Sequence, residues 1–76
     1  MIFAENLRAR RKKLGLFAEE LANRVHVSRS YITLLENGKR LPGKNLLPKI
    51  ARALKLEKSI VVEWYLAEQR EKLGVK

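Results

Sequence analysis

The sequence predicts an all-α domain built from five helices. Three observations lead there. No stretch alternates apolar and polar residues as a half-buried strand would. Apolar residues recur instead at the three- and four-residue spacing of a helix face. Glycines at 15, 38, 43 and 74 and prolines at 42 and 48 then cut the chain into segments of helical length.

In the first helix Phe3, Leu7 and Leu14, with Ala4 and Ala9 nearby, form one apolar stripe, and Gly15 is placed to end it. The second segment, Phe17 to Val25, turns Leu21, Ala22 and Val25 inward and carries Glu19 and Glu20 at its positive end. Ser28 is an N-cap for a third helix, Arg29 to Asn37, with Ile32 and Leu35 inward and Gly38 suited to the left-handed backbone of a helix end. Its other face carries Arg29, Ser30, Thr33 and Leu34. Periodicity alone leaves open whether Leu34 covers the core or meets an apolar partner such as a thymine methyl.

A linker, Lys39 to Lys44, leads to a fourth helix over roughly Leu46 to Leu54. A start near Asn45 puts Pro48 in the first turn, where a missing N–H has no intrahelical acceptor to lose. Ser59 is read as the cap of a last helix running to about Leu73, whose first half, Ile60 to Ala67, is apolar on nearly all sides. So small a domain cannot bury both faces of its terminal helix against itself. Either Trp64 and Tyr65 complete the core of one chain, or Ile60, Val61, Trp64 and Tyr65 face a second copy; the dimer is the reading adopted.

The 76 residues suffice for one domain, 1–76, with one modest core. The absence of cysteine excludes disulfides and thiolate metal sites. No apolar run approaches the roughly 18 to 20 residues of a membrane span, and the charged start lacks the apolar stretch of a signal peptide, so a soluble, cytoplasmic protein is expected. Seventeen Lys and Arg against eight Asp and Glu leave a formal charge of +9, which makes polyanions the natural partners. Residues 1 to 44 hold ten of the basic and four of the acidic groups, so the footprint lies mainly in the first half.

Residues 18 to 37 read as two short helices joined by His26-Val27-Ser28, a helix-turn-helix arrangement in which the second helix reads bases. From about Leu7 to Leu56, through the strings LGLFAEELANRVHVSRSYITLLENGKRLP and LLPKIARALKL, the chain resembles the phage-repressor and Cro (XRE-type) family of transcriptional regulators. The resemblance implies a lambda-repressor-like five-helix fold with helix-turn-helix at helices two and three. It implies that Arg29, Ser30, Thr33 and Leu34 face base edges, and that Tyr31, Asn37, Lys39, Arg40 and Lys44, with Arg8 and Arg10 on the other side, hold the sugar-phosphate backbone. It also pairs Arg11 with Glu36 as a structural ion pair.

Two positions depart from the family pattern. A serine or threonine cap followed by glutamine is replaced by Phe17 and Ala18, which removes one phosphate anchor; Phe17 is read instead as an apolar staple. His26 stands where glycine usually supplies a positive φ, and no second ligand lies at metal-binding spacing. The expected function is sequence-specific binding of a near-palindromic operator in double-stranded DNA by a homodimeric repressor or controller. No enzyme activity, cofactor, metal, membrane or small-molecule ligand is expected. The reading kept beside it is a helix-turn-helix-like protein-interaction module, an adaptor or antitoxin.

Overall fold

The computed structural model describes residues 2–74 and forms α1 (Ile2–Lys13), α2 (Ala18–Val25), α3 (Arg29–Glu36), a 3-10 turn (Lys44–Leu46), α4 (Leu47–Ala53) and α5 (Lys58–Lys72). No strand occurs among the described residues, as the periodicity predicts.

Local chemistry explains the boundaries. Past α1 the chain turns at Gly15, whose φ of 72° places it in the left-handed region. At the start of α2 the Phe17 N–H donates to the Glu20 carboxylate at 2.8 Å. This is half of a capping box, because an aromatic ring cannot return the bond. Ser28 Oγ accepts the Tyr31 N–H at 3.1 Å and starts α3. Pro48 lies in the first turn of α4, as expected, although the turn before it is 3-10 and not α.

The ends of α2 and α4 are built alike. His26 and Lys55 are the two non-glycine residues with positive φ, at 61° and 57°. Behind each, an N–H reaches back five residues, Val27 to the Ala22 carbonyl at 3.0 Å and Leu56 to the Ala51 carbonyl at 2.9 Å. The segments Leu21-Ala22-Asn23-Arg24-Val25-His26-Val27 and Ile50-Ala51-Arg52-Ala53-Leu54-Lys55-Leu56 thus repeat one helix stop, with the apolar residues at matching positions buried or half-buried.

Every helix contributes to one core, in which Phe3, Leu7, Leu21, Val25, Ile32, Leu35, Ile50, Leu54 and Val61 are almost wholly buried. Each such side chain contributes about 1.5–3 kcal/mol. Four expectations are corrected here. Helix α5 starts at Lys58 after Glu57, without a side-chain cap, so Ser59 lies inside the helix. Its apolar half is not buried all round, since Ile60 and Leu66 are exposed. Val61 belongs to the monomer core and is withdrawn from the dimer face, because a fully buried side chain has no surface to offer a partner. Phe17 is 75% exposed and staples nothing.

Glu68 was not anticipated. It is buried, and its Oε1 accepts the Phe3 N–H at 3.0 Å, so α5 caps the first turn of α1 across 65 residues of sequence. Trp64 meets Phe3 edge-on beside it, with ring centroids 6.4 Å apart. Glu68→Ala is expected to lower stability by about 1–2 kcal/mol while Glu68→Gln, which keeps an acceptor oxygen, costs less. Urea unfolding of the two variants checks this; equal losses would mean that the capping bond contributes nothing.

Candidate nucleic-acid interface

The turn between α2 and α3 sets the geometry of the exposed face. His26 takes up the left-handed backbone that lets the chain reverse within three residues, and α3 then packs Ile32 and Leu35 into the core. Its other edge is left open. Arg29, Ser30, Thr33 and Leu34 are all exposed and line one shallow concavity. Leu34 is 37% exposed and lies outside the buried cluster. Thr33 Oγ1 donates to the Arg29 carbonyl at 3.2 Å, which spends its proton within the helix and leaves its oxygen lone pairs for other contacts.

The helix bearing this edge is tied down from behind. Arg11 of α1 holds Glu36 of α3 through two bonds, Nε to Oε2 at 2.6 Å and Nη2 to Oε1 at 2.9 Å, and its Nη1 donates to the Leu16 carbonyl at 2.8 Å. One guanidinium therefore fixes α1, the loop after it and the end of α3 in a planar fork that lysine could not reproduce. The hydrogen bonds that Arg11 donates to Glu36 raise its pKa above the ordinary value, against the opposing effect of burial.

The remaining basic candidates divide into groups. Arg8, Asn37, Lys39 and Arg40 are exposed, and the Arg40 guanidinium lies over the half-buried Tyr31 ring at 5.6 Å from its centroid. Lys44 is exposed at the mouth of a groove it shares with Leu47, Pro48, Val62, Tyr65 and Leu66. Arg10 is corrected. Its Nε and Nη2 donate to the Leu54 and Lys55 carbonyls at 3.0 and 3.3 Å, so it caps α4 and is not free to clamp a phosphate. No local signal in the sequence could have announced that, since its partners lie 44 and 45 residues away. Phe17 projects beside Asn23, Glu19, Glu20 and Arg29 where the family's polar anchor is missing.

A family model described as helix-turn-helix matches residues 7–60, more than half of the chain. The chain belongs to the XRE-type helix-turn-helix family. A relative from Methanothermobacter thermautotrophicus, described as an uncharacterized HTH-type transcriptional regulator, is 52% identical over 48 residues, covering 63% of this chain and 70% of the relative. Among solved structures, the P22 c2 repressor bound to a synthetic operator superposes with a TM-score of 0.74 at 30% identity, over 80% of this chain and 92% of the repressor. The clp gene regulator ClgR of Corynebacterium glutamicum gives 0.75 at 27% identity, over 96% and 83% of the two chains. This XRE-type protein is thus a DNA-binding transcriptional regulator with a lambda-repressor-like fold, and it is not an enzyme. No helix among its described residues is long and apolar enough to cross a membrane.

Proposed function

We propose that this XRE-type protein is a cytoplasmic homodimeric repressor that binds a near-palindromic operator in double-stranded DNA. The observation that carries the reading is the division of α3, with Ile32 and Leu35 wholly buried while Arg29, Ser30, Thr33 and Leu34 stand uncovered on the other edge. Arg29, at the helix start, has the planar fork to bond guanine O6 and N7 together. Ser30 bonds a base or a phosphate, and Thr33 and Leu34 complete the edge that enters the major groove. Arg8, Tyr31, Asn37, Lys39, Arg40 and Lys44 hold the sugar-phosphate chain, supplying affinity and salt dependence without sequence choice.

A second copy docked on the apolar side of α5 would give the site its two-fold symmetry. Leu66 is exposed and Tyr65 and Val62 are half-buried along one side of α5, where they line a common groove, while Ile60, also exposed, lies about a third of a turn around the helix.

Selection of bound duplexes from a random pool, followed by footprinting and a solution mass, tests the proposal. A defined symmetric site and twice the chain mass are expected. Random DNA protected as strongly as any selected site would end it. The exposed Leu34 gives a narrower check: replacing the contacted thymine by uracil, which removes only the methyl, should weaken binding by about 1 kcal/mol, and Leu34→Ala should abolish the difference.

A further inference from the structure

The four basic groups Arg24, His26, Lys49 and Arg52 line one concavity between the end of α2 and the outer side of α4, and Ala53 is the other residue that lines it. All four are exposed, and none of their side chains has a hydrogen-bond or ion-pair partner among the described residues. Lys55 adds a fifth basic residue at the end of α4.

Cations often gather at helix C-termini to offset the dipole and unpaired carbonyls. That need is met in part by the backbone. The Ala22 and Asn23 carbonyls accept the Val27 and His26 N–H groups, and the Ala51 and Arg52 carbonyls accept those of Leu56 and Lys55. Beyond these, Arg10 covers the Leu54 and Lys55 carbonyls. The acidic residues of α2, Glu19 and Glu20, sit in its first turn, away from the cluster. The three cations Arg24, Lys49 and Arg52 face open solvent without a counter-charge among the described residues and repel one another, an arrangement that suits a polyanion.

We propose that Arg24, Lys49 and Arg52 bind phosphates of the DNA flanking each half-site, outside the major groove that receives α3. The patch borders the reading helix directly. His26 lies three residues before Arg29, so their Cα atoms are separated by at most about 11 Å, within the span of a few phosphates. On this inference, a duplex engaged by the open edge of α3 and continuing past the α2–α3 turn meets this concavity with its backbone. The inference rests on the proposed DNA-binding reading, and it adds a determinant of affinity that reads length and bendability of the flank and not base identity.

The test compares two duplexes carrying the selected site, one ending at its outermost bases and one extended by about ten base pairs, one helical turn, on each side. Binding of the full chain is measured by fluorescence anisotropy over a range of salt. The wild-type protein should bind the long duplex roughly tenfold more tightly. In Arg24→Gln/Lys49→Gln/Arg52→Gln the two duplexes should bind alike, with the salt slope on the long one reduced by about 2–3 per subunit at roughly 0.9 per phosphate, and binding to the short one unchanged. The substitutions are on the surface, and an unaltered melting curve verifies folding. Equal binding of both duplexes by the wild type, or a length advantage retained by the triple variant, would overturn the inference, the latter also being the result expected if the patch served an acidic protein. Failure of the wild type to bind either duplex is a separate outcome that removes the proposed function and this inference together.

Discussion

Glu36→Ala should lower the unfolding free energy by about 3 kcal/mol, the largest single loss expected outside the hydrophobic core. The Arg11 and Glu36 side chains are only 12% and 8% exposed, so removing the carboxylate strands a guanidinium where water reaches it poorly. Two bonds to Glu36 vanish and the third, to the Leu16 carbonyl, cannot compensate for them. For a domain whose total stability is on the order of 4–11 kcal/mol, such a loss is a large fraction, and the melting temperature should fall by roughly 12–24 °C. Differential scanning calorimetry measures it. The double variant Arg11→Met/Glu36→Leu should recover much of the loss, because two apolar groups leave no charge unpaired; failure to recover would show that the cost lies in packing and not in the stranded charge. Because the Arg11 pKa is raised, its contribution is fully present below the unfolded-state value and is lost only as pH rises through the still higher folded value. Stability contributed by this arginine is therefore flat through neutrality and declines only in strong alkali.

Arg29→Ala carries the second large effect, and it falls on DNA recognition. On the proposed reading the variant loses the bidentate guanine contact, about 1–3 kcal/mol of discrimination, or roughly 5- to 150-fold at one base pair per half-site. The fold should be untouched, since Arg29 is exposed and its side chain makes no hydrogen bond within the described protein. Lys39→Ala serves as the contrast: it should weaken all sequences alike and lower the salt slope by about 1. Measuring both against the selected site and single-base variants of it distinguishes a reading group from a clamping one. Uniform weakening by Arg29→Ala would place that guanidinium on a phosphate and leave base reading to Ser30, Thr33 and Leu34.

How far the molecule was legible beforehand differs from element to element. The apolar positions of α2 and α3, Leu21, Ala22, Val25, Ile32 and Leu35, are buried as their spacing predicts, and Ser28 caps α3 as its side chain allows. These depend on neighbours within one or two turns, where helical periodicity applies directly. Helix α5 resisted the same logic. Its run of apolar residues does not reveal which side meets α1 and α4, so periodicity puts Val61 on the outer face although it is fully buried in the core.

Arg10 and Glu68 were opaque for a different reason. One was read as a phosphate clamp and is a cap on α4; the other attracted no reading and caps α1. A charged side chain takes whatever partner the packing brings near, and no window of sequence contains a partner 44 or 65 residues away.

The amino-acid order alone thus determined the number of helices, their inward faces, the helix-turn-helix and its family, because each is written in spacings shorter than a few turns. Tertiary structure alone decided which charges are consumed as caps and which stay free, and that three cations from two helices share one hollow with His26. Those outcomes depend on distances through space between segments remote in the chain, which only the packed arrangement of helices defines.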